Sequence, residues 1–287
     1  MNDITRYQQQ AVRKSFGNAA KTYDEAAVLQ REVATRMLER LEYITATPKR
    51  ILDLGCATGE YSARLAKMYK GAQVFSLDIA MPMLKEVKRR STWRRPLRTV
   101  CGDIQALPIA DNSIDLIFSS LALQWCSSLD DVFNEFRRVL KPGGFVMFST
   151  FGPDTLKELR VSWSVVDSEK HVHDFIDMHD IGDAMLRAGL SQPVMDVETI
   201  TLTYKDAYDL MRELKDIGAH NIAQTRSRNI TSKSRLQAVV KAYEQFRVDG
   251  VLPASYEVVY GHAWCDESKV GLQTNGVSIE SLRGSIE

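Results

Sequence analysis

The nine residues Ile51-Leu-Asp-Leu-Gly-Cys-Ala-Thr-Gly59 constrain the fold more than any other stretch of the chain. They read as a buried strand, a loop carrying Gly55 and Gly59, and a helix that opens at Glu60. Glycine lets the backbone pass close to a ligand, and a loop at this point is where open α/β sheets hold nucleotide-like molecules. Asp53 narrows the choice. Phosphate suits the amides of a helix N-terminus, but a carboxylate beside the loop repels it. The better ligand is a nucleoside with a cationic end.

The stretch opens a regular alternation. Strands are predicted at 50–54, 73–78, 97–101, 113–119 and 145–150, with helices at 60–69, 83–90 and 129–139. Apolar strands separated by helices imply a parallel sheet covered on both faces. Further helices are expected at 154–168, 179–188, 206–217 and 233–246, and strands at 197–203 and 256–264. The last two strands flank roughly fifty residues of helical insertion, too long for a plain connection. The expected fold is therefore α/β, a doubly wound, mostly parallel seven-stranded sheet of Rossmann-like form, with an antiparallel last strand and a helical cap. Residues 1–46 carry one apolar stripe (Leu29, Val33, Met37, Leu41) and read as an N-terminal helical lid. Residues 47–265 form the main domain, with the cap at about 205–252. Residues 266–287 are a polar tail that adds at most one short strand, near 277–282.

Two more acids follow strands two and three. Asp78 lies 19 positions beyond Gly59, placed to hold ribose hydroxyls, with Ile79 next to it. Asp103 is placed to accept from an adenine amino group, and Ile104 to pack on the ring. Each acid alone reads equally as a turn or helix cap; three in succession, with the glycine loop after the first strand, favour a cofactor. NAD is the rival, but a full G-x-G-x-x-G is lacking and Asp53 is unsuited to pyrophosphate. S-adenosylmethionine has an adenosine, an ammonium and a sulfonium, and carries no phosphate.

The loop after strand four, Leu121-Ala-Leu-Gln-Trp125, faces the reacting group in such a sheet. Gln124 and Trp125 contact either the methionine end or the substrate, or Trp125 simply packs. Tyr23 belongs either to a lid that excludes water or to an ordinary helix pair. Arg160 follows strand five and either orients an anionic substrate or serves the surface. His220 either touches substrate or caps a helix. Basic residues cluster over 85–98, seven against Glu86, and over 205–247, nine against five acids. Both are solvated helix faces or docking surfaces for an acidic partner; in the second, Arg212, Lys215, Arg226 and Arg228 are the candidates.

Composition excludes several classes. Lys+Arg and Asp+Glu are both 37, and no aromatic-interleaved basic surface appears, so nucleic acid is not the expected partner. No apolar run is long enough for a membrane span. Cys56, Cys101, Cys126 and Cys265 are scattered, and no H-x-x-x-H occurs, so neither a metal site nor a disulfide framework is expected. A cytoplasmic monomer with free thiols is the simplest expectation.

Asp53-Leu-Gly-Cys-Ala-Thr-Gly59, Asp78 and Gly102-Asp103 resemble the class I S-adenosylmethionine-dependent methyltransferases over residues 50–150, with Ala57 where that family usually has glycine. Four other stretches look like the malonyl-[acyl-carrier protein] O-methyltransferases of biotin synthesis: Phe16-Gly-Asn-Ala-Ala-Lys-Thr-Tyr-Asp24 through Gln30, Leu123-Gln-Trp125, Phe151–Arg160 and Leu214–Asn221. The resemblance implies methyl transfer to the free carboxylate of malonyl on an acidic acyl-carrier protein, with S-adenosylhomocysteine as product. The segment 151–160 is shared with a complex I assembly factor that hydroxylates arginine, so an assembly factor or hydroxylase stays an alternative, as does methylation of another small carboxylate.

Overall fold

The structure, a computed structural model, describes residues 3–219 and 232–266. Three helices come first: α1 (Asp3–Ala19), α2 (Tyr23–Ala26) and α3 (Val28–Leu41). The alternating body follows as β1 (Arg50–Leu54), α4 (Glu60–Met68), β2 (Gln73–Asp78), α5 (Met81–Arg90), β3 (Leu97–Cys101), β4 (Ile114–Ser120), α6 (Leu129–Val139) and β5 (Leu140–Phe151). Then come α7 (Lys157–Ser164), α8 (Met178–Arg187), β6 (Ser191–Tyr204), α9 (Ala207–Asp216), α10 (Lys233–Tyr243) and β7 (Leu252–Cys265). The expected strand near 277–282 lies outside the described residues.

The seven strands form one sheet in the order β3-β2-β1-β4-β5-β7-β6. Pairing is parallel from β3 to β5, and β7 runs antiparallel to both of its neighbours. This is the expected α/β architecture, antiparallel last strand included. Strand side chains alternate between the two faces. Ile51 joins a core with Leu29, Val33 and Met37 of α3 and Leu65 of α4. Leu52 and Leu54 join the opposite core with Val132, Phe133 and Phe136 of α6 and Ile181 and Met185 of α8. Fully burying side chains of this size contributes about 1.5–3 kcal/mol each, and Phe133, Phe136 and Met185 are wholly inaccessible.

Two local differences from the sequence expectation have physical causes. Strand five is expected from residue 145, but β5 begins at Leu140 and carries through Lys141-Pro-Gly-Gly144 as a bulge: the register shifts between the pairs Ile114–Leu140 and Leu116–Phe145, and Gly143 sits at φ +76°. The outer strands are longer than their alternation suggested, because β6 and β7 pair from Ser191–Trp264 to Tyr204–Leu252.

Opposite Phe148 on β7 stands Gly261, and the ring lies over the glycine. A Cβ there would fall 2.3 Å from Phe148 Cζ and 3.0 Å from Met195 Sδ. Gly261→Ala is therefore expected to destabilise the fold by about 1–3 kcal/mol through overpacking, read as a lower urea midpoint with an unchanged m-value.

Candidate functional site

The connections diverge at β1, which lies between β2 and β4, and open α/β sheets take ligands at such a switch point. Parallel pairing brings the C-terminal ends of four strands to one edge. There a cavity is lined by Gly55 and Ala57 after β1, Asp78 and Ile79 after β2, Gly102, Asp103 and Ile104 after β3, and Leu121, Ala122 and Trp125 after β4. Gly55 has φ +67°, and a Cβ there would fall 2.4 Å from Ala122 Cβ, so glycine keeps the two loops close. Gly59 is not part of the lining. It sits at φ +81° before α4, and a Cβ would fall 2.8 Å from Val87 Cγ2, so it serves the packing of α4 on α5. Ala57 and Leu121, which line the cavity, are non-glycine residues at φ +46° and +49° and so hold backbone strain in its loops.

The three acids are held differently. Asp53 is 3% exposed and accepts a hydrogen bond from Ser62, which itself accepts from Ser76 at 2.8 Å. Burial outweighs that bond and, with nearby Asp78 adding to it, pushes the Asp53 carboxyl up to about 7. Asp78 accepts from the backbone amides of Ala57 at 3.1 Å and Ala80 at 2.7 Å, yet burial still raises it to about 6. Asp103 accepts from Gln105 N at 3.0 Å, and its other oxygen accepts from Gln9 Nε2 of α1. A helix amide thus stands where an adenine amino group was expected. Gln9, Val12 and Phe16 of α1 line this cavity with Tyr23. Burial and the charge of Asp78 hold the Tyr23 phenol well above its ordinary value, so it stays protonated near neutral pH.

A smaller cavity adjoins through Gly55, Ala57 and Tyr23 and is bounded by Asp53, Gln30, Arg31 and Thr58. Arg31 donates to the Asp24 carbonyl at 2.7 Å, while the Asp24 carboxylate accepts from Thr58 and pairs with Arg90. Two buried acids and one guanidinium around a nucleoside-sized cleft fit a ligand that carries an ammonium and a carboxylate. Gln9 and Arg31 were not legible as site residues: Gln9 sits in a Gln8-Gln9-Gln10 run, and nothing in the spacing of Arg31 sets it apart from the basic residues around it.

A third cavity, of about 290 Å³, lies beyond Trp125 and Gln124. Its walls combine aromatic and aliphatic side chains, among them Phe151, Trp163, Phe175, Tyr256 and, from α9, Met211 and Leu214, with the ionisable Glu169, Glu213 and Arg235. Trp125 is fixed edge-on between Phe16 at 5.3 Å and His173 at 5.4 Å. Gln124 is tied to the Leu121 carbonyl at 2.7 Å and accepts from Thr150 at 3.3 Å. Burial lowers His173, which favours its neutral form.

Arg160, expected to orient the substrate, is not among the side chains that line this cavity; its guanidinium donates to the Pro153 and Thr155 carbonyls at 2.9 and 3.1 Å, while its Nε is buried without a hydrogen-bond partner among the described residues. The guanidinium that does line the cavity is Arg235 of α10. It is paired with Asp167 and lies 3.8 Å from Glu169. His171, stacked on Trp163 at 3.5 Å, bonds the other oxygen of Asp167. Asp167, Glu169 and His171 approach like metal ligands, and Arg235 already pairs with the Asp167 of that group. Arg212 and Lys215 are exposed on α9, and Arg212 bonds Asp209. His220, Arg226 and Arg228 lie outside the described residues. The basic 85–98 cluster begins on α5 and runs to the start of β3, so its 91–98 portion lies at the sheet edge away from these cavities.

Residues 52–148 match a family described as "Methyltransferase domain". A malonyl-[acyl-carrier protein] O-methyltransferase of Methylovorus sp. is 54% identical over 267 residues, covering 91% of this chain and 90% of the relative. A protein of the same name from Gallionella capsiferriformans is 51% identical, covering 89% and 90%. Among solved structures, the [4+2]-cyclase SpnF matches with a TM-score of 0.52 and 19% identity, over 82% of this chain and 81% of its own. That last likeness speaks for the fold alone.

The two raised carboxyls make ligand binding pH-dependent. Asp53 rises from 3.8 to about 7 in the ligand-free fold, so the folded state holds an extra proton between those values and loses stability as pH rises through that window. An ammonium ligand requires the ionised form. Affinity for S-adenosylhomocysteine is thus expected to weaken roughly tenfold per pH unit below 7 and to level off above it. Asp53→Asn should flatten that profile, measured by calorimetry between pH 5 and 8.

Proposed function

The chain belongs to the malonyl-[acyl-carrier protein] O-methyltransferase family, and from that premise we propose that it methylates the free carboxylate of a malonyl unit carried on an acyl-carrier protein, using S-adenosylmethionine. The observation that carries the reading is the junction of a nucleoside cleft rich in buried acids with an aromatic-walled cavity at Trp125. In the related pathway that the sequence resemblance implies, the methyl ester lets the malonyl unit be extended toward pimelate.

Asp78 takes the ribose hydroxyls, and Ile79, Ile104 and Leu121 enclose the base. Asp103 takes the adenine amino group when the Gln9 amide gives way. Asp53 meets the ammonium through the small cavity, and Arg31 meets the cofactor carboxylate. When bound, S-adenosylmethionine would supply an activated methyl group on its sulfonium, which a carboxylate can accept without any proton being moved. A malonyl carboxylate is already ionised at neutral pH, so no general base is needed. Tyr23, protonated throughout, fits a site that orients and encloses and does not abstract protons. The aromatic walls exclude water, which favours a step in which an anion and a cation neutralise each other. Holding oxygen, methyl and sulfur in line accounts for most of the remaining acceleration.

Helix α9 supports a docking role beside the cavity. Met211 and Leu214 line the cavity, while Arg212 and Lys215 are exposed. Arg226 and Arg228 extend the same basic stretch of sequence. We assign these four residues to an acidic carrier protein.

The test is turnover of S-adenosylmethionine with malonyl-carrier protein, malonyl-CoA and free malonate. Malonyl-carrier protein is expected to be the best acceptor; no S-adenosylhomocysteine from it sinks the reading. Activity on the carrier-bound substrate should also fall several-fold between about 50 and 300 mM salt, while activity on malonyl-CoA changes little. Equal salt dependence for both substrates removes the docking role.

A further inference from the structure

Two side chains join the largest cavity to the two cavities at the strand ends. Trp125 borders it and the adenosine cleft, and Gln30 borders it and the small ammonium-end cavity. Gln30 lies in the first turn of α3, where the adjacent Leu29 is 2% exposed and locks the turn into the core. Its Oε1 is buried and has no hydrogen-bond partner among the described residues. The small cavity on one side contains Asp53 and receives a cation; the large cavity on the other side receives an anion. A carboxamide is the neutral group that serves both at once, because it accepts at one end and donates at the other. A half-turn of the amide exchanges the ends, and the charges of the two ligands select the orientation.

We propose that Gln30 bridges cofactor and substrate: Oε1 accepts from the ammonium, and Nε2 donates to the malonyl carboxylate oxygen that does not attack, which turns the other oxygen toward the methyl group. The proposal rests on the functional reading above. Of the two nearby arginines, Arg160 commits both terminal nitrogens to backbone carbonyls and Arg235 pairs with Asp167 and approaches Glu169. A lysine at this point would repel the sulfonium, and a glutamate would repel the carboxylate.

The experiment compares Gln30→Glu and Gln30→Leu with the parent protein. Both are checked for folding by thermal denaturation, for S-adenosylhomocysteine affinity by calorimetry, and for kcat/KM on malonyl-carrier protein. Gln30→Glu keeps the acceptor and loses the donor. Its cofactor Kd should stay within about threefold, and its kcat/KM should fall about 100-fold. Gln30→Leu loses both ends, and cofactor Kd should weaken about tenfold as well. A fall in kcat/KM of less than tenfold for Gln30→Glu overturns the bridge, as does an equal loss of cofactor affinity in both variants. Absence of turnover by the parent protein sinks the functional reading and the substrate half with it, whereas normal parent turnover with an unimpaired Gln30→Glu sinks Gln30 alone.

Discussion

Parallel pairing of β1 with β2 on one side and β4 on the other is the constraint on which the rest of the structure depends. Parallel strands end at the same edge, so four loops separated by up to about seventy residues converge there. Gly55 reaches Ala122 so closely that no side chain fits between them. The bulk of the packing serves this arrangement: α3 and α4 cover one face of the sheet, α6 and α8 the other. Any shift of register would move the alternating side chains of β1 to the wrong core and separate the loops.

Convergence creates an electrostatic problem that a cationic ligand solves. Asp53 and Asp78 lie almost out of contact with water, and neither neighbouring hydroxyls nor backbone amides offset the loss of hydration. Two acids elsewhere are neutralised by cations. Asp115 receives two backbone amides and Lys141, and falls below its usual value; Glu135 falls because Arg138 bonds it. The contrast makes the acid pair at the ends of β1 and β2 conspicuous as a binding feature. The N-terminal helices complete it from outside: Gln9 reaches Asp103, Phe16 props Trp125, and Ser15 and Thr22 hold the end of α9 through the Gly218 and Asp216 carbonyls. One segment therefore touches both the cofactor cleft and the helical insertion.

The cavity at the strand ends was legible in the sequence because the residues that line it lie next to those ends, where local order and chain position go together. Asp53, Gly55, Asp78, Ile79, Asp103, Ile104 and Leu121 all stand within three residues of a predicted strand terminus, and each lines a cavity. Gly59 shows the limit of that logic: it belongs to the motif, yet its hydrogen is required by Val87 across a helix interface. The substrate half was less legible. Arg160 had the right charge and a suitable position in the chain, but carbonyls five and seven residues away claim it. Arg235 and Gln30 reach the cavity from helices remote in sequence, and no local pattern marks them.

By itself the sequence determined the strand–helix alternation, the order of the acids and the identity of the loop that must stay glycine, because periodicity, strand ends and left-handed turns are local properties of a chain. Only the tertiary structure decided which polar side chains meet across the sheet edge: Gln9 with Asp103, Arg235 with Asp167, and Gln30 between two cavities. Those meetings depend on how helices far apart in the chain pack over one sheet. That packing is set by the shapes of the two apolar cores, and no spacing along the chain encodes it.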